Sequence, residues 1–236
     1  MKPIVNDFSV KLPGIGDLPP LEPGDRLTRD EFERRYEAMP NLKKAELIEG
    51  IVYMPSPVRL YRHGAPQGSM VAWLFHYQAQ TPGTLAGDNT TARLDLDNEP
   101  QPDALLIIEP RSGGQTKILE DDYIEGAPEL IVEVSGSTVS FDLHTKFNVY
   151  RRCGVKEYIV WRVLDRAIDW FVLAGGAYER HTTDIDGLIK SVTFPGLWLN
   201  AEAMVQLDLA RVFADLQRGI ASPEHAEFVK RLAANA

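Results

Sequence analysis

Cysteine is nearly absent: Cys153 stands alone in 236 residues. That excludes an intramolecular disulfide framework and a cysteine-built zinc site. Its place beside Gly154, at the end of a helical pattern, reads as a packing thiol ahead of a nucleophile. No apolar run approaches the roughly 18 residues that a membrane span requires. The opening MKPIVNDFSVKLPGIG has no apolar segment of signal-peptide type, so a cytoplasmic protein without membrane contact is the expectation. Positive charge is in deficit, with 25 Lys and Arg against 34 Asp and Glu, a net charge of -9. A surface that is basic throughout is therefore excluded, although a local basic patch is not. The glycines of SGG (112–114) and AGG (174–176) lack the surroundings of a phosphate loop and read as turns. The histidines of HTTD and EHAEF show no metal-ligand spacing.

What is present suits a globular domain: 44% hydrophobic and 25% charged residues, enough for a sizeable core. Residues 1–27 are rich in Pro and Gly and read as an extended arm. TRDEFERRYEAMP opens a helix, with Thr28 and Glu31 at capping-box spacing. AELIEGIVYMPSP holds two short runs around Glu49-Gly50 and predicts a β-hairpin. HGAPQGSMVAWLFHYQAQ has helical period, ended by Pro82-Gly83. TARLDLD and DALLII predict strands on either side of DNEPQP. Ser140 is the predicted N-cap of FDLHTKFNVYRRC, with Leu143, Phe147 and Tyr150 as its apolar stripe. EYIVWRV and AIDWFVL predict adjacent strands, and DLARVFADLQRGI a helix in the tail. This order predicts an α/β sandwich with one mixed sheet.

Within PELIVEVSGS, the run Leu130, Ile131, Val132 and Val134 predicts a strand buried on both faces, and Glu133 interrupts it. An ionised carboxylate there costs roughly several kcal/mol unless a cation compensates it. Asp103 stands directly before the strand ALLII. Lys146 follows Glu133 by 13 positions, and Asp142 and Lys146, four apart, share a helix face. Two answers for Glu133 are open on spacing alone. It pairs with an Arg or Lys in a buried salt bridge, or it joins Asp103 in binding one hard divalent cation, with Lys146 orienting a water beside it.

QPDALLI, GAPELIVEVSGST and DLHTKFNVYRRCGVKEYIVW, with AELIEGIVYMPSP upstream of them, together resemble the Uma-two family of the PD-(D/E)XK nuclease superfamily over roughly residues 28–205. The resemblance implies a restriction-endonuclease-like α/β fold with a mixed central β-sheet flanked by helices. The arm (1–27) and a C-terminal helical tail (206–236) lie outside it. It further implies a Mg²⁺- or Mn²⁺-dependent endonuclease acting on nucleic acid, with DNA the expected substrate. Asp103 matches the acid of the PD element and Glu133 the central acid of the (D/E)XK element. The lysine of that element would fall on Ser135, and Lys146 on the following helix takes its place. Glu46 matches an acid that completes the metal site, and the carbonyl of Val134 is a further implied ligand. SGST stands where SPST is more usual, and VWRV where the pattern commonly carries Asp; neither change removes a proposed ligand.

His63 near the start of the second helix is a candidate to touch substrate or protonate a leaving oxygen, against a plain surface or capping role. Arg59 and Arg62 precede that helix, and Arg151 and Arg152 close the helix of Lys146; helix capping and phosphate contact are both open for them. His144 is assigned to solvent or a partner surface. Trp161, Trp170, Phe171 and Trp198 exceed what one thin sheet needs for its core, which predicts a homodimer. The rival from another class is a non-catalytic binding or assembly protein that keeps the acidic pocket as an ion-pair network.

Overall fold

The computed structural model describes residues 18–54 and 58–235. Residues 1–17 of the expected arm, and Pro55 to Pro57 in the hairpin motif, lie outside the described residues. Leu21 is buried, and the Leu27 N–H donates to the Gly50 carbonyl at 2.8 Å, so residues 18–27 run along the hairpin. Thr28 caps helix α1 (Arg29–Glu37), its Oγ1 accepting from the Glu31 N–H as the spacing predicts. Strands β1 (Glu46–Ile48) and β2 (Ile51–Tyr53) form the predicted antiparallel hairpin. Both turn residues have positive φ, 52° at Glu49 and 72° at Gly50, which matches the right-handed twist of the flanking strands. Phe32, Leu47 and Val52 form a small core of their own with Leu21.

A π-helical turn (Leu60–Gly64) leads into helix α2 (Ala65–Gln80), which buries Met70, Trp73, Leu74 and Tyr77. Strand β3 (Thr84–Asp88) follows, then β4 (Ala92–Arg93), β5 (Ala104–Ile108), β6 (Lys117–Ile118) and β7 (Ile124–Glu125). Strand β8 (Leu130–Ser135) is the one that carries Glu133. A second π-helical turn (Phe141–Lys146) runs into α3 (Phe147–Cys153). Strands β9 (Glu157–Arg162), β10 (Ala167–Ala174) and β11 (Ala177–His181) come next. The short pair β12 (Ile189–Lys190) and β13 (Trp198–Leu199) then precedes helices α4 (Ala201–Val205), α5 (Leu209–Ile220) and α6 (Pro223–Asn235).

The main sheet has six strands in the order β11-β10-β9-β8-β5-β3. Within this sheet, among the described residues, only β8 and β9 run parallel, because the helical segment between them carries the chain back to the same end. The predicted mixed sheet flanked by helices is the fold observed. One strand differs. TARLDLD contributes only β4, in a separate three-stranded sheet with β7 and β6, and the main sheet's edge is β3. The β3 sequence TLAGD has little apolar content to announce a strand; its five backbone pairs with β5 hold it in place. Ser140 is not the N-cap either. Its backbone is already helical, and the Asp142 N–H donates to the Thr138 carbonyl one turn earlier.

Alternation along β8 sorts its side chains between two cores. Leu130, Val132 and Val134 face α2 and the tail helices, whereas Ile131 faces Val149, Tyr150 and Tyr158. Glu133 shares the parity of Ile131 and so points at the α3 side. Val212 and Leu216 of α5 and Phe228 and Leu232 of α6 lie in the same core as α2. Trp161 and Trp170 are also buried there, Phe171 packs edge-on against Phe147, and Trp198 is half-buried under Lys190. The aromatics that motivated a dimer are thus largely absorbed by this chain's own core and give that expectation no support. Among the described residues, no helix is long and apolar enough to cross a membrane.

Candidate active site

The register between β5 and β8 pairs Ala104 with Val132. One step along, Asp103 comes level with Glu133, on the face that α3 covers. Asp103 Oδ2 accepts the Val134 N–H at 2.7 Å, so the acid caps the ladder end. Glu46, the first residue of β1, reaches the same face, where its Oε1 accepts the Gln101 N–H at 2.7 Å.

Lys146 arrives through the π-helical turn. The Phe147 N–H donates to the Asp142 carbonyl five residues back, the mark of a turn wider than an α-turn. The wide turn brings Asp142 and Lys146 inward together, and each is only 3% exposed. Tyr158 Oη donates to the Asp142 carbonyl, and the Asp142 carboxylate accepts from Thr138 Oγ1 at 2.6 Å and from Ser135 Oγ. Ser135, at the position where the resemblance would put a lysine, thus anchors the turn that supplies Lys146 instead.

Lys146 Nζ donates to Glu46 Oε1 and to Glu133 Oε1, each at 2.9 Å. Tyr150, one turn further along the helix, donates its hydroxyl to Glu133 Oε1 at 2.7 Å. The buried Glu133 carboxyl is therefore compensated twice, by an ammonium and by a phenol. Burial pushes its pKa up to about 8, against the pull of Lys146, and Asp103, Asp142 and Glu46 add to the rise. Burial disfavours the charge on Lys146 as well, but Glu133 and Glu46 outweigh it and hold the ammonium well above its usual pKa. One lysine between two acids, with a proton retained on the Glu133 side below about pH 8, leaves the buried trio neutral.

Asp103 has separate cations. His63 Nε2 lies 3.3 Å from Asp103 Oδ1 and Lys44 Nζ 3.7 Å from it. His63 Nδ1 meets the Val134 carbonyl at 3.0 Å. Both ring nitrogens face oxygens that only accept, so both carry protons and His63 is an imidazolium. Its hydrogen bond to Asp103 raises the His63 pKa despite burial. His63 and Lys44 in turn outweigh burial at Asp103 and hold that carboxyl below its ordinary range.

Asp103, Glu133, Glu46 and Lys146, proposed from the sequence, are thus gathered on one face of the sheet, with the Val134 carbonyl and His63 beside Asp103. Asp103 is engaged with His63 and Lys44, and Lys146 with the two glutamates. Among the described residues, no three His, Cys, Asp or Glu side chains are arranged to hold a metal ion as they stand. The donors themselves are three carboxylates and one carbonyl, an all-oxygen set of the kind that suits Mg²⁺ or Mn²⁺. Lys146 and His63 occupy the cation positions among them. Both hydrogen bonds to the Glu133 carboxylate fall on Oε1.

Lys44, Gln101 and the Tyr150 hydroxyl join the site without having been singled out from the sequence. Two of them carried a signal. Lys44 precedes Glu46 by two and shares its side of the chain, and Tyr150 follows Lys146 by four and shares its helix face. Tyr150 belongs to the predicted apolar stripe, and its ring packs on Tyr158 at 5.0 Å while its hydroxyl turns to Glu133. His144 is exposed, as assigned. The Cys153 thiol donates to Asp95, and burial followed by Asp95 pushes its pKa up to about 12, the opposite of an activated nucleophile.

A mixed sheet with helices on its faces, and acids from two strands meeting a lysine from the crossover helix, places the protein among restriction-endonuclease-like α/β domains. The chain belongs to the Uma2 family, described as "Putative restriction endonuclease", whose model matches residues 29–202. It also resembles the crystal structure described as a "putative nuclease belonging to DUF820" from Anabaena variabilis, with a TM-score of 0.56 and 18% sequence identity. That match covers 80% of this chain and 99% of the other, and it speaks to the fold. No curated protein matches the sequence.

Proposed function

We propose that the protein is a Mg²⁺- or Mn²⁺-dependent endonuclease that hydrolyses phosphodiester bonds of nucleic acid, DNA in the first instance. The observation that carries this reading is the buried ammonium of Lys146 held 2.9 Å from carboxylates of two separate elements, Glu46 and Glu133, on the face that also bears Asp103. Asp103, Glu133, Glu46 and the Val134 carbonyl would hold the divalent cation. That cation, when bound, would acidify a coordinated water and offset charge on the phosphate. Lys146 Nζ would orient the attacking water and balance the negative charge on the non-bridging oxygens. His63 holds a proton at Nε2 that can pass to the leaving oxygen as the P–O bond breaks. Tyr150 fixes the orientation of Glu133.

A second reading has an observation of its own. Glu133, Asp103 and Lys146 are at most 4% exposed, and each is already paired within the chain. A non-catalytic binding or assembly protein would keep such a pocket as a structural ion-pair network. One experiment separates the two. Wild type and Glu133→Gln are incubated with plasmid DNA and labelled oligonucleotides in Mg²⁺, Mn²⁺ or chelator, beside thermal melts of each. Wild type should cleave only with metal and gain melting temperature from it, while the folded variant does neither. Wild type that neither cleaves DNA or RNA nor responds to either metal would hand the assignment to the second reading.

A further inference from the structure

The π-helical turn that sends His63 into the pocket presents the rest of itself outward. Leu60 is 66% exposed and Tyr61 77% exposed, with Arg59 and Arg62 exposed on either side. Neither arginine pairs with a carboxylate among the described residues, although the chain carries a net charge of -9 and most of its arginines are paired. The backbone of this turn lies directly on the end of β8. A Cβ added at Gly136 would fall 2.6 Å from the Arg62 carbonyl oxygen. Ser137, the next residue, begins the wall of a groove of about 540 Å³ that also takes in Tyr53, Ser140, Phe141 and Thr145. The Tyr53 and Phe141 rings stand 4.5 Å apart at its edge, and Lys146 Nζ lies 5.8 Å from the Phe141 ring. An arginine–aromatic strip and a hydroxyl-lined groove therefore meet around the rim of the acid–lysine pocket.

We infer that this strip and groove hold an unpaired nucleic-acid strand across the mouth of the pocket. The inference deepens the endonuclease reading and rests on it for the identity of the polymer. Arg59 and Arg62, which pair with no carboxylate among the described residues, supply cations for backbone phosphates. An exposed tyrosine ring offers a stacking surface, and a base can stack on it only if its own face is free. In a duplex the base faces are taken up by neighbouring bases, so an exposed ring set between two arginines selects a single strand or a locally unpaired site. The hydroxyls of Ser140 and Thr145 can donate to phosphate or sugar oxygens without demanding a sequence.

The test measures binding apart from cleavage. Fluorescence anisotropy of a labelled single-stranded DNA, the same sequence as RNA, and its DNA duplex is followed in EDTA over a range of salt. The single strands should bind more tightly than the duplex. Tyr61→Ala should weaken single-strand binding roughly tenfold, and Arg59→Ala and Arg62→Ala should each reduce the log–log salt slope by about 0.7. These are exposed positions, so melting temperatures should hold. Duplex binding equal to or tighter than single-strand binding would overturn the inference, as would binding indifferent to all three variants, or no binding at all. Cleavage by the wild type with Mn²⁺ is scored separately. Strip-dependent binding without cleavage would sink the endonuclease reading alone, and cleavage that Tyr61→Ala leaves untouched would sink this inference alone.

Discussion

Lys146→Met probes the pocket at its centre. Methionine keeps a flexible apolar stem of nearly the same length and removes the ammonium that donates at 2.9 Å to both Glu46 and Glu133. Breaking a buried pair by removing one partner costs about 3–5 kcal/mol, because the surviving charge is left without compensation. Here two carboxyls survive, Glu46 without its cation and Glu133 with the proton it already holds below about pH 8. Wild-type Glu133 already titrates at about 8, above its unfolded value, so its contribution to stability is present at low pH and is lost as pH rises through that range. Without Lys146, whose charge lowers Glu133, that pKa rises further, and Glu46 loses its cation too. Above about pH 8 the folded variant then retains a proton that wild type releases. At about 1.36 kcal/mol per pH unit per proton, each pH unit above about 8 widens the stability difference by up to roughly 1.4 kcal/mol. The variant should therefore be destabilised by about 3–5 kcal/mol near pH 7 and by roughly 1 kcal/mol more near pH 9. Urea unfolding in chelator, followed by the fluorescence of the buried Trp73, Trp161 and Trp170, gives both values. A difference that does not change with pH, or one under about 1 kcal/mol at the alkaline end, would refute the picture of one ammonium shared between two acids.

Two further outcomes are expected. Tyr150→Phe removes the 2.7 Å hydroxyl bond to Glu133 Oε1 and keeps the ring; Mn²⁺ affinity by titration calorimetry should fall about tenfold, and an unchanged affinity would deny Tyr150 its positioning role. Away from the pocket, burial and the neighbouring Glu33 push Glu99 up to about 8, against Arg93. Folding therefore retains a proton there and stability falls as pH rises from the ordinary glutamate range towards 8. Glu99→Gln should remove about 1.36 kcal/mol per pH unit of that fall, and an unaltered slope in unfolding free energy against pH would count against it.

Much of this architecture was legible because local rules and global packing agree. The capping spacing of Thr28 and Glu31 opened α1 as predicted. Glu49-Gly50 supplied the two positive-φ residues a tight hairpin needs. The apolar run around Glu133 became a strand buried along its whole length. The misfit charge in that run marked the pocket in advance, since a buried carboxylate requires a partner somewhere in the fold. Where local content was weak the reading failed. TLAGD has one large apolar residue, Leu85, which stays exposed, so nothing in its own pattern distinguishes an edge strand from a loop. The start of the Lys146 helix was set two residues late, at Ser140, because the π-helical turn breaks the 3.6-residue period on which the cap was placed.

The sequence by itself determined that one acid would stand before a buried strand and another inside the next, and that a lysine would follow on the next helix, because alternation and helical period are properties of short stretches. Only the tertiary structure decided which cation meets which acid. Lys146 divides itself between Glu133, 13 residues away, and Glu46, 100 residues away, while Asp103 takes His63 from the first π-helical turn and Lys44 from the loop before β1. Those pairings depend on the crossing of a π-helical turn over the sheet and on the hairpin's seat beside it. Electrostatic partners are chosen by distance in space, and a buried charge accepts whichever cation the packed chain delivers within hydrogen-bond reach.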